Sequence, residues 1–139
     1  MIPIFICETD SNQRNQIRQI VEDYMTLENL KMSVMVTENP YQLIEILKDD
    51  PTQIGIYFLD VDLNKKMGGI TLASNIRKRD TQGVVILMAT EMSSEIIDQT
   101  FSHKLEVMDI IVKDSPTMSQ QICDCLQIAS KRVLQRANN

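Results

Sequence analysis

The sequence predicts a doubly wound α/β sandwich, with five parallel strands in one sheet and helices on both faces. Three observations carry that expectation. Apolar runs of six or seven residues, most of them rich in β-branched side chains, recur five times along the 139 residues. A helical pattern follows each run, so strand and helix alternate to the end of the chain. The runs, "IGIYFLD" above all, are continuously apolar rather than alternating, as expected of strands buried on both faces.

The first strand is predicted over Ile2 to Cys7, and the helix after it opens near Ser11 or Asn12, both good N-caps. Ile17, Ile20, Val21, Tyr24 and Leu27 then share one helical face. "MSVMVT", Met32 to Thr37, is the second strand. Asn39 caps the second helix, Pro40 takes its first position, and Leu43, Ile44 and Leu47 face inward. The third strand runs from Ile54 to Asp60; Gly68 and Gly69 then break the chain before a helix carrying Leu72, Ala73 and Ile76. "VVILMAT", Val84 to Thr90, is the fourth strand, followed by a weakly apolar helix with Ile96, Ile97 and Phe101. The fifth strand covers Val107 to Val112, and the last helix opens at Ser115-Pro116 with Ile122, Leu126, Ala129 and Val133 inward. Parallel pairing demands crossover helices, so a flavodoxin-like three-layer arrangement fits.

Composition narrows the function classes. With 43% hydrophobic and 24% charged residues the chain is an ordinary globular sequence, and its length suits one domain over 1–139. A net charge of −5 argues against non-specific nucleic-acid binding. No run of 18 apolar residues is present, and the N-terminus lacks the basic flank and cleavage site of a signal peptide. Cys7, Cys123 and Cys125 do not form a disulfide framework, and Cys123 and Cys125 lie on different helical faces. With a single histidine a Cys/His zinc site is disfavoured. Three reduced thiols in a cytoplasmic protein are expected.

Functional groups of doubly wound sheets collect at the carboxyl ends of the strands. Here those ends carry matching chemistry: Glu8, Thr9 and Asp10 after the first strand, Asp60 and Asp62 at the third, Thr90 at the fourth and Lys113 at the fifth. One Asp or Thr there is ordinary turn chemistry; an acid set with a hydroxyl and a lysine is not. Clustered carboxylates repel, and a hard cation such as Mg²⁺ relieves that repulsion. A carboxylate also attacks phosphorus, and a lysine, a hydroxyl and a metal stabilise the transferred oxygens. Asp60, which ends the central apolar strand, is the nucleophile candidate.

The pattern resembles the receiver domain of two-component response regulators over essentially the whole chain, which implies a CheY-like fold. "FICE", "YFLDVDL", "NPY" and "MDIIVKDSP" look closest to the AgrA/ComE-like regulators of Gram-positive peptide quorum sensing. The resemblance implies that Asp60 accepts phosphate from a sensor histidine kinase. It implies that Thr90 and Lys113 bind the phosphoryl group, and that Glu8, Asp60 and the main-chain carbonyl of Asp62 bind Mg²⁺. It also implies a LytTR-type output domain outside this chain, through which alone DNA would be bound to control transcription, and a homodimer through the fourth and fifth helices. No membrane partner is implied. Such a domain is a phospho-acceptor that assists its own phosphotransfer and dephosphorylation, not a conventional enzyme.

Two positions depart from the receiver pattern. Thr9 stands where the second residue of the acid pair is normally Asp, which removes one charge and weakens the metal site. Asp10 either compensates or caps the first helix, and capping is the expected role. Ile110 stands where an aromatic switch residue is usual, and is read as an ordinary buried strand residue. A pseudo-receiver acting as a phosphorylation-independent interaction module is therefore the alternative. A haloacid-dehalogenase-like phosphatase is a weaker one: "LDVDL" holds an Asp-x-Asp, but Asn64 replaces the usual Thr or Val and the motif lies on the third strand. Met92 and Met118 are candidates for a partner surface, His103 for a helix C-terminus, and Lys131, Arg132 and Arg136 make a basic end to the last helix.

Overall fold

A computed structural model describes residues 1–63 and 66–138, so Asn64 lies outside the described residues. In chain order the elements are β1 (Ile2–Cys7), α1 (Ser11–Leu27), β2 (Met32–Thr37), α2 (Pro40–Asp49) and β3 (Ile56–Asp60). They continue with α3 (Gly69–Arg79), β4 (Val84–Ala89), α4 (Ser94–Ser102), β5 (Val107–Val112) and α5 (Met118–Ala137). The five strands form one parallel sheet in the order β2-β1-β3-β4-β5, as the doubly wound prediction requires. No helix among the described residues is long and apolar enough to cross a membrane.

Strand residues alternate between two cores because successive side chains leave a strand on opposite faces. Ile4, Ile6, Ile56, Phe58, Ile86 and Ile111 pack with Ile17 and Val21 of α1 and with Ile122, Leu126, Ala129 and Val133 of α5. Phe5, Tyr57, Leu59, Val85 and Leu87 pack on the other face with Leu43, Leu47, Leu72, Ala73 and Ile76 of α2 and α3. Each inward residue predicted for α2, α3 and α5 is buried.

Element ends moved for local reasons. Asp10, not Ser11 or Asn12, caps α1, its carboxylate accepting from the N–H groups of Asn12 and Gln13 at 2.9 and 3.0 Å. The capping role expected for Asp10 is thereby borne out. β3 begins two residues later than predicted, and the N–H of Gly55, just before it, donates to the Asp80 carboxylate. Thr90 falls just beyond β4. α5 opens at Met118 rather than at Ser115-Pro116. Asp114 adopts φ 60°, and a turn closed by Met118 N–H on the Ser115 carbonyl occupies the intervening residues.

Exposure corrects other expectations. Met118 is buried in the core and Ile110 is only half-buried. Leu27, at the end of α1, is exposed. On α4 the buried residue is Thr100, whose hydroxyl donates to the Ile96 carbonyl at 2.7 Å, while Phe101 is 77% exposed and Ile97, like Met92 in the preceding loop, lies open. A helix of nine residues has little inward face, and a self-satisfied threonine takes it. His103 is the C-cap of α4.

Candidate functional site

The period of two that divides the cores also builds the site. Glu8 continues the row Ile4-Ile6, Asp60 the row Ile56-Phe58, and Lys113 lies two residues past Ile111, all on the rows that pack against α1 and α5. Parallel register aligns the strand ends, with Cys7 beside Leu59, and Asp60 beside Met88. Lys113 N–H donates to the Ala89 carbonyl at 2.7 Å, holding the residue after β5 against β4.

The Lys113 ammonium bridges the two carboxylates, donating to Glu8 Oε1 at 2.9 Å and to Asp60 Oδ1 at 3.1 Å. Glu8 and Asp60 are 1% and 2% exposed, so the pairs lie largely outside water. Burial pushes the Glu8 carboxyl above the usual carboxylate range, the adjoining Asp60 carboxylate adds to that, and Lys113 opposes it. Burial alone would lower the Lys113 ammonium, but its bonds to Glu8 and Asp60 outweigh burial and raise it. Two carboxylates facing one ammonium leave one negative charge uncompensated.

The remaining predicted residues are distributed around this triad. Asp62 N–H donates to Asp60 Oδ1 at 3.1 Å, which brings its main chain to the acceptor carboxylate, while its side chain is exposed. Thr90 is exposed and shares with Asp62 a cleft of about 390 Å³ between the loops after β3 and β4. Asp10 N–H donates to Glu8 Oε2 at 3.2 Å, but its carboxylate is engaged in the α1 cap. Thr9 is exposed. Among the described residues no three His, Cys, Asp or Glu side chains form a metal-holding group.

Several supporting residues are invisible to strand-end reasoning. Arg14 Nη1 donates to the Glu8 carbonyl at 3.0 Å, tying α1 to the end of β1. Gln13 Nε2 donates to Asp114 Oδ2, linking α1 to the loop after Lys113. A Cβ on Gly69 would strike the Asp60 carbonyl oxygen and approach Val61 Cα at 2.8 Å, so only glycine lets α3 start there. The Gly68-Gly69 pair was the one signal of this close approach. Cys7, on the opposite face of β1, has its thiol pushed up to about 12 by burial, then by Asp60 and Glu8.

A five-stranded parallel sheet in this order, with two acids and a lysine converging at its carboxyl rim, defines a signalling class. Residues 4–127 match the response regulator receiver domain model, and the chain belongs to that family. It is 39% identical over 132 residues to accessory gene regulator protein A of Staphylococcus epidermidis, and equally to that of Staphylococcus aureus. Those alignments cover 94% of this chain and 54% of the relative, so the chain spans about half the length of the curated relatives it matches. The fold is similar to the signal receiver domain of an HD domain-containing protein from Pseudomonas fluorescens Pf-5, with TM-score 0.77 and 14% identity over 96% of this chain and 98% of that one. It is similar also to CheY of Borrelia burgdorferi, solved with CheX, BeF₃ and Mg, with TM-score 0.69 and 20% identity over 91% and 89%.

Proposed function

We propose that this receiver takes a phosphoryl group on Asp60 from the phosphohistidine of a sensor kinase and passes the change to an output domain. The observation that carries the reading is the Lys113 ammonium on both Glu8 and Asp60. In the transfer an Asp60 oxygen forms the new O–P bond as the P–N bond to the kinase imidazole breaks, the electron pair leaving with the ring nitrogen. Lys113, already within reach of the acceptor, would turn to the incoming phosphoryl oxygens, and the Thr90 hydroxyl at the neighbouring cleft would hydrogen-bond another.

The uncompensated charge between Glu8 and Asp60 fits a hard divalent cation. Mg²⁺ would be held by those carboxylates and the Asp62 carbonyl, and when bound it neutralises charge on the transferred group. The exposed Met92, Ile97 and Phe101 support association of two copies through α4 and α5. A LytTR-type DNA-binding output domain, a role in peptide quorum sensing and a cytoplasmic location follow the same likeness to accessory gene regulator protein A. Mg²⁺-dependent labelling by acetyl phosphate, abolished by Asp60→Asn, tests the proposal. An unlabelled wild-type chain, under conditions that label another receiver, would overturn it.

A second reading, a phosphorylation-independent interaction module, is favoured by one observation. Asp10 is committed to the α1 cap and Thr9 is exposed, so among the described residues two acidic side chains, Glu8 and Asp60, face the metal position. On that reading Thr9→Asp raises Mg²⁺ affinity sharply by calorimetry; tight binding by the wild-type chain counts against it.

A further inference from the structure

The end of the molecule opposite the acidic rim carries a feature that phosphotransfer does not use. Where α3 and α5 end and β4 and β5 begin lies a concavity of about 80 Å³, lined in part by Arg77, Arg132, Arg136 and Glu106. Val84, also in its lining, is four residues before Met88, the sheet neighbour of Asp60. The concavity is therefore about 13 Å along the strand from the phospho-acceptor level.

Acids outnumber bases in this chain, 19 to 14, yet three arginines and a single acidic residue, Glu106, line this concavity. Arg77 donates to the main-chain carbonyls of Gly83 and Glu106, and Arg136 to that of Gln82, so two of the three are held in place by backbone. Arg132 is exposed and has no hydrogen bond or ion pair among the described residues. It stands four residues before Arg136 on the same helix face, a like-charge pair that weakens an isolated helix. Burial lowers the Arg77 guanidinium's pKa and Arg136 pushes the same way, against Glu106 and Asp80. Placement at the C-terminal end of α5 accounts for Arg136 through the helix dipole. It does not account for Arg77, which reaches in from another helix, or for the cost of gathering all three.

Positioned guanidiniums are the usual partners of tetrahedral oxyanions. A concavity of about 80 Å³ is large enough to seat one such anion. We infer that Arg77, Arg132 and Arg136 bind a phosphate group, either free inorganic phosphate or the phosphate end of a small monoester.

The test is titration of the ¹⁵N-labelled chain with inorganic phosphate, without Mg²⁺ and at ionic strength held constant with chloride, following the arginine Nε–Hε signals. Saturable shifts of the three arginine signals are expected. Arg132→Gln should weaken the apparent affinity at least about tenfold, the loss of one charge-assisted bond, with the other signals unmoved. Arg132 supports no backbone carbonyl, so this variant folds where Arg77→Gln risks failing. A parallel titration with glycerol phosphate separates the two sources: the same shifts place a monoester in the site, and their absence confines it to the free anion. Shifts that rise linearly without saturating, an unchanged affinity in Arg132→Gln, or shifts confined to the neighbours of Lys113 would each overturn the inference.

Discussion

Asp80→Asn should destabilise the fold more than any other single-atom exchange at its polar positions. The Asp80 carboxylate is 3% exposed and accepts four bonds. Oδ2 takes the Gly55 N–H at 2.8 Å and the Tyr57 hydroxyl at 2.6 Å; Oδ1 takes the N–H groups of Gly83 at 2.7 Å and Gln82 at 3.2 Å. An amide keeps one oxygen. Set in its better orientation, its NH₂ replaces Oδ2, the Tyr57 hydroxyl turns to accept, and the Gly55 N–H is left without a partner. A buried orphan donor costs about 1–3 kcal/mol, and the lost charge assistance on the remaining bonds adds about 1–2 kcal/mol, or ~2–5 kcal/mol together. Tyr57→Phe removes one charge-assisted bond and orphans nothing, because three N–H donors remain, so it should cost about 1.5–3 kcal/mol. In the double variant no hydroxyl turns to the amide, so the two losses should fail to add. Urea unfolding followed by far-ultraviolet circular dichroism measures all three, provided the slope with denaturant is unchanged. An Asp80→Asn variant within about 1 kcal/mol of wild type would refute the claim that this carboxylate joins β3 to the α3–β4 loop.

Glu8 makes stability depend on pH, because its carboxyl is raised in the folded chain. The folded state then holds that proton more tightly than the unfolded one, so stability falls as pH rises from about 4.3 through the folded value. Glu8→Gln should flatten that part of the stability profile measured without metal. Lys113 acts in the same direction at alkaline pH: its raised ammonium contributes fully below about 10.4 and loses that contribution as pH rises further. Gly69→Ala should lose phosphorylation and destabilise by about 1–3 kcal/mol, since the new Cβ meets main chain at Asp60 and Val61; denaturation and acetyl phosphate labelling check it, and a fully active variant would disprove the close approach. Cys7 and Cys125, pushed up to about 12 chiefly by burial, should resist Ellman's reagent in the native state, leaving half-buried Cys123 as the first thiol to react. Rapid native labelling of Cys7 would contradict its burial.

What was legible in the sequence follows the range of the interactions involved. Sheet, helices and the Glu8-Asp60-Lys113 triad come from apolar runs and from the rule that a parallel sheet collects function at its carboxyl ends; neither needs to know which strand pairs with which. Period-two alternation then decides which rim residues converge, and it selects these three because each follows a row of Ile or Phe packed against α1 and α5. Nothing in the local sequence marks Asp80, since its partners Gly55 and Tyr57 lie 25 and 23 residues earlier. Arg14 and Gln13 were hidden for the same reason, their roles depending on how α1 lies over the rim. On α4 the sequence shows only a weakly apolar helix with three apolar residues, and the tertiary fit alone reveals that Thr100 takes the inward position. The apolar surface so exposed lies on the element that follows the Thr90 loop. A phosphoryl group that draws Thr90 inward would therefore act first on the segment leading into Met92, Ile97 and Phe101. On the proposed function this would couple Asp60 to the exposed α4 surface without an aromatic at position 110.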